Sequence, residues 1–119
     1  MTSFASTIER AVENESVFRR VNDEIEATAA PTGALQATFV CECSDPNCGG
    51  TIGLPLVLYR RIRRHPANFV VSAGHEEAPD ALSQVVHYHL SYSVVEKVGY
   101  AAALAAAAYR GPGADASGS

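Results

Sequence analysis

No part of the chain is long and apolar enough to span a bilayer. Its longest apolar run, Ala101 to Ala108, is alanine-rich and well short of the roughly 20 residues a spanning helix needs. The start, Met1-Thr2-Ser3-Phe4, lacks the basic patch and apolar stretch of a secretory signal. The expectation is a cytoplasmic protein without membrane contact, whose thiols stay reduced. Cysteine is scarce and odd in number, three in all, so complete disulfide pairing would strand one thiol. Positive charge is also in deficit: nine Lys and Arg stand against thirteen Asp and Glu, which argues against a general nucleic-acid binder. No phosphate-cradling glycine loop, dinucleotide fingerprint or Ser/His/Asp order occurs. Gly49-Gly50-Thr51 is too short to be a phosphate loop, and no internal repeat is visible.

What the chain does have is a concentration of soft metal ligands. Cys41-Glu42-Cys43-Ser44-Asp45-Pro46-Asn47-Cys48 holds every cysteine, and Gly74-His75-Glu76 follows. Zinc favours four sulfur and imidazole ligands in a tetrahedron, so Cys41, Cys43, Cys48 and His75 are the expected ligands of a zinc ion. The Asp-Pro-Asn loop and the Gly49-Gly50 pair are turn chemistry able to fold three thiolates around one point. Rivals for the fourth position are His87, His89 and a water molecule. Without a metal, Cys41 and Cys43 would be small buried hydrophobes or a redox pair, and Cys48 a spare thiol.

At 119 residues the chain suits one α+β domain over residues 1 to 110, followed by a flexible tail, Gly111 to Ser119. Thr7 to Thr28 reads as an amphipathic helix with Ile8, Val12, Phe18, Val21 and Ile25 as its apolar stripe, and Glu15 and Arg19 among the charges off it. Packing on its own domain is the expected use of that stripe; a partner helix is the alternative. Leu35 to Cys43 alternates at period two, which predicts a strand with Cys41 and Cys43 on one face. Thr51 to Leu54 reads as its return strand. Pro55 to Arg64 reads as an inserted helix, with Leu56, Tyr59 and Ile62 buried and Arg60, Arg61, Arg63 and Arg64 on the surface. Phe69 to Val71, Ser83 to His89 and Tyr92 to Val98 complete an antiparallel sheet of four to five strands. A turn is expected at Pro79-Asp80, and a helix over the alanine-rich Gly99 to Arg110. His65 is expected at the surface, and Tyr88 and Tyr92 in core or interface.

With these segments in view, the chain resembles a family of small bacterial proteins, common in actinobacteria, to which no activity is attached. The resemblance runs through an Asn-Glu-x-x-Phe-Arg-x-Val-Asn helix (Asn14 to Asn22) and a Phe-x-Cys-Glu-Cys-x-Asp-x-x-Cys segment (Phe39 to Cys48). It continues through Tyr59 to Pro66, Phe69 to Glu76, and the closing Val94-Val95-Glu96-Lys97. It covers about residues 14 to 99. The alanine-rich C-terminus and the Arg60-Arg61 pair depart from the family pattern.

Three functions follow. The first is a zinc-binding module whose metal is structural and which acts in binding or regulation, most naturally with another protein as partner. The second is a small zinc enzyme with Glu76, or Glu42, as general base. Three thiolates reduce the ion's Lewis acidity, and the spacing does not match the nucleobase deaminases. A cysteine nucleophile paired with His75 is a lesser variant. The third is a nucleic-acid or transcription-machinery binder that uses Arg60, Arg61, Arg63 and Arg64.

Overall fold

The expected first helix is present as α1, Phe4–Ala29, and Ile8 and Val12 are buried as expected, but beyond Val12 a different face turns inward. The expected stripe needed a jump of six residues from Val12 to Phe18, which 3.6 residues per turn does not support. The buried face continues instead at regular spacing through Ile8, Val12, Glu15, Arg19, Asn22 and Glu26, while Val17 and Val21 are exposed. The inner side of α1 is therefore apolar in its first half and polar in its second. A 3₁₀ turn, Ala30–Thr32, closes the helix.

In this computed structural model, which describes residues 4–76 and 82–109, the strands divide between two sheets. β1 (Gln36–Val40) and β2 (Thr51–Pro55) form an antiparallel hairpin with Val40 opposite Thr51. β3 (Asn68–Ser72), β4 (Ser83–Tyr88) and β5 (Tyr92–Lys97) form a second antiparallel sheet in the order β3-β5-β4. The single sheet of four to five strands is thus corrected to two smaller ones. The division occurs just after β1. Cys41 N–H still donates to Gly50 C=O in the hairpin (3.0 Å), but Glu42 N–H donates to Val70 C=O of β3 (2.8 Å). Cys41 to Cys43 consequently lie beyond the strand expected to contain them. All three residues are buried rather than alternating, because β3 meets Cys41 through Ser72 while Asn22 of α1, Arg63 of α2 and Val70 of β3 meet Glu42.

The helix α2, Leu56–Arg63, follows β2 directly, with Pro55 at its N-cap. Leu56, Tyr59 and Ile62 are buried as expected, and so is Arg63. The C-terminal α3, Gly99–Ala108, buries Ala101 and Ala105 against the rest of the domain. Tyr59 stacks on Phe39 at 4.3 Å between nearly parallel rings, joining α2 to the hairpin at the centre of the core. The Pro79-Asp80 turn, Arg110 and the tail lie outside the described residues.

Candidate metal centre

The junction between the two sheets is where the cysteines meet. Cys41 and Cys43 lie on the segment crossing from β1 to β3. Cys48 comes from the loop that returns to β2, and His75 from the turn after β3. Asp45-Pro46-Asn47-Cys48 closes with Cys48 N–H donating to Asp45 C=O (3.1 Å), while Asp45 Oδ1 accepts from Asn47 N–H (2.9 Å). Aspartate first and proline second is the composition such a turn prefers. Asn14 Nδ2 on α1 donates to Ser44 C=O at 3.0 Å and holds the loop from behind. His75 is placed by a second turn, in which its N–H donates to Ser72 C=O (2.9 Å) and Gly74 takes φ +93°. A side chain at that φ would be strained, so glycine is needed there.

The Sγ atoms of Cys41, Cys43 and Cys48 and a ring nitrogen of His75 lie within 4.8 Å of one another. His75 Nδ1 is 3.5 Å from Cys41 Sγ and 3.5 Å from Cys48 Sγ. Zinc bonds of about 2.3 Å to sulfur and about 2.0–2.1 Å to nitrogen give a tetrahedral S···N edge of about 3.6 Å. The cluster thus fits a metal site such as zinc. The thiols are free rather than disulfide-bonded.

Each sulfur faces a backbone N–H. Ser72 N–H donates to Cys41 Sγ at 3.1 Å and Gly50 N–H to Cys48 Sγ at 3.4 Å, while Asp45 N–H bonds Cys43 Sγ. Such donors stabilise thiolate charge and orient ligands. Burial acts the other way: it pushes the Cys41 thiol up, and Cys43 up to about 12. Taken without an ion, Cys41 and Cys43 hold their protons at neutral pH, so a metal must displace protons to bind there. Gly50 is required by space. A Cβ there would stand 2.7 Å from Ser72 Oγ and 3.4 Å from both Cys41 Cβ and Cys48 Sγ.

The other expected participants are placed elsewhere. His87 and His89 lie outside the cluster, against Tyr92, with ring centroids 6.1 and 4.5 Å from its ring. Tyr92 is buried and Tyr88 exposed; His65 is at the surface. Glu76 Oε2 accepts from Gly74 N–H and from Ser93 Oγ, each at 2.8 Å. The Gly74 N–H first, and the Ser93 hydroxyl second, hold its carboxyl below the usual range. That carboxylate braces the His75 turn, and a depressed pKa makes it a weak base. Glu42 is fully buried, facing away from the sulfurs. Its Oε2 accepts from Arg63 Nη2 (2.5 Å) and Asn22 Nδ2 (2.7 Å), and its Oε1 from Val70 N–H (2.9 Å).

The arginine surface is likewise corrected. Arg63 lies four residues after Tyr59 and seven after Leu56, on the buried stripe of α2. Its side chain is 1 % exposed and its partner Glu42 0 %. Burial pulls the guanidinium down, but Glu42, Tyr59 and Asp23 outweigh burial and hold it above its ordinary value. Arg60 pairs with Glu26 at 2.8 Å. Only Arg61 and Arg64 of the set remain exposed without an ion pair among the described residues.

Sequence reasoning missed the polar network behind the cluster. Asn22 meets the end of β1 as another strand would: Oδ1 accepts from Val40 N–H and Nδ2 donates to Val40 C=O, both at 2.8 Å. Arg19 donates to Pro66 C=O (2.5 Å) and to Ala105 C=O (2.8 Å), and the latter is one of the carbonyls left open at the end of α3. Its guanidinium lies over Phe69 and Tyr109. Burial lowers the Arg19 pKa to about 10, and the neighbouring Arg63 adds to the fall. Lys97 Nζ pairs with Glu15 at 2.8 Å, both buried. The signal that could have revealed this face is the spacing 15, 19, 22, 26, which places charged and amide side chains on one side of α1.

Comparison of the chain with protein-family models, curated proteins and solved structures finds no match.

Proposed function

We propose that this chain is a small zinc-binding module whose metal is structural, ligated by Cys41, Cys43, Cys48 and His75, and that it works by binding or regulating another protein. The observation that carries the reading is the convergence of three thiols and an imidazole nitrogen at tetrahedral spacing, 3.5 Å from His75 Nδ1 to both Cys41 Sγ and Cys48 Sγ. Four protein ligands close a zinc site and leave no position for substrate. Placed where β1 leaves one sheet for the other, the ion would tie the hairpin to the turn after β3. Metal-binding energy then becomes folding energy.

An enzyme reading finds less support, because Glu76 is engaged in the His75 turn and Glu42 in the core. A nucleic-acid reading loses Arg63 to the interior and Arg60 to Glu26. Elemental analysis of the purified chain tests the proposal, alongside Cys48→Ser and His75→Ala. About one zinc per chain, lost in both variants, is the expected result for a four-ligand site. A folded, metal-free protein whose thermal stability ignores added zinc would overturn it.

A further inference from the structure

One face of α1 stays in solvent. Arg10, Glu13, Val17, Arg20, Val21 and Glu24 recur at three- and four-residue spacing, so they share one side of the helix, and all of them are exposed. Val17 and Val21, one turn apart, are 42 % and 41 % exposed. The four charged residues make no ion pair among the described residues, although Arg20 and Glu24 stand at a spacing that allows one. Grooves run along both sides of this ridge. One is lined by Val21, Ile25 and Ala29, the other by Val12 and Leu104. A ridge between two grooves is the relief on which a second helix packs.

The order of the charges selects the occupant. Arg10 and Glu24 lie seven residues either side of Val17, while Glu13 and Arg20 lie four before it and three after it. In both cases a basic residue on one side is matched by an acidic residue on the other. A helix of the same sequence laid antiparallel and crossing at Val17 therefore sets Arg10 opposite Glu24 and Glu13 beside Arg20. Laid parallel, it sets each charge against its like. We propose that α1 pairs antiparallel with α1 of a second copy of this chain, about a two-fold axis at Val17. The axis repeats each ion pair, so the pairs surround an apolar centre of Val17 and Val21 from both copies. A single helix pair lies at the low end of interface sizes, below about 1,200 Å². The dimer is accordingly weak, reversible and sensitive to salt. None of this depends on the zinc reading.

Sedimentation equilibrium of the full chain, from about 10 μM to about 1 mM, tests the proposal. The expected result is a monomer–dimer equilibrium that weakens as salt rises from about 50 to about 500 mM. Arg10→Glu and Glu24→Arg change exposed positions, and each alone sets like charges face to face twice. Each should weaken the dimer by about tenfold or more. An equimolar mixture of the two variants should restore it, because the introduced charges then face each other and the native pair is kept. Recovery on mixing cannot arise from a change in folding or in net charge. A monomer throughout this concentration range would overturn the proposal. So would a dimer indifferent to both variants, or one that mixing fails to restore.

Discussion

The Cys/His cluster and the ionic cluster around Glu42 share one stretch of backbone and keep polar atoms from water by opposite means. At Cys41, Cys43 and Cys48 the sulfur atoms converge with a ring nitrogen of the exposed His75 to within 4.8 Å of one another. One residue away, Glu42 turns inward and is answered entirely by protein: Arg63, Asn22 and the N–H of Val70. The first arrangement fits a metal ion supplied from outside the chain, whereas the second is complete once the chain has folded. The pair teaches that the Cys-Glu-Cys tripeptide is two devices in one. Its two cysteines belong to the candidate metal cluster and its central residue anchors that cluster to α1, α2 and β3.

The largest expected effect comes from taking the ion away from the first device. Structural zinc contributes on the order of 10 kcal/mol in small metal-organised domains, so Cys48→Ser or a strong chelator should abolish cooperative thermal unfolding or lower its midpoint sharply. Calorimetry with and without added zinc measures this. The pH dependence should invert with loading. In the metal-free protein burial raises the Cys43 pKa to about 12, so the stability tied to its protonated thiol is present below its ordinary value. That contribution is lost as pH rises toward 12. In the zinc-loaded protein protons compete for the thiolates, and stability should fall on acidification instead. Unfolding midpoints across pH for both forms check the sign.

Next in size is the second device. Glu42→Gln leaves Arg63 buried opposite a neutral amide, and breaking a buried pair in this way costs about 3–5 kcal/mol. Urea denaturation reads the loss. If the folded variant still carries its zinc, the two clusters are energetically separate; loss of both together would break the distinction drawn above. Gly50→Ala should have a smaller effect, about 1–3 kcal/mol for overpacking, because Ser72 and two cysteines crowd the position. Its signature should be zinc affinity falling before the fold does, as read by competition with a chromogenic chelator. Smallest of all is Arg60→Ala. Its pair with Glu26 is half-exposed on the arginine side, so about 0–1 kcal/mol is expected. A larger loss would mean that the polar face of α1 extends its network to the surface.

Much of the candidate metal site was legible because its information is local. Three cysteines within eight residues, an Asp-Pro-Asn turn and a Gly-His pair need only turn chemistry and ligand preference to suggest one centre. The inserted helix and the late hairpin were legible for the same reason, since apolar period and turn residues specify them within a few positions. The polar face of α1 and the burial of Arg63 were not. Glutamate, arginine and asparagine at 15, 19, 22 and 26 look like a solvated side until their partners are known. Those partners, Lys97, Pro66, Ala105, Val40 and Glu42, lie 18 to 86 residues away in sequence or in other elements.

By itself, then, the sequence determined the sequential order of helices and strands, the residues able to hold an ion, and the turns that present them. Only the tertiary structure decided that the strands form two sheets rather than one. It also decided that the second half of α1 packs through charged and amide groups, and that Glu42 belongs to the core while its neighbours face the candidate site. The physical reason is compensation. A buried charge is tolerable only where another group meets it, and that meeting is a property of the fold, not of any local segment.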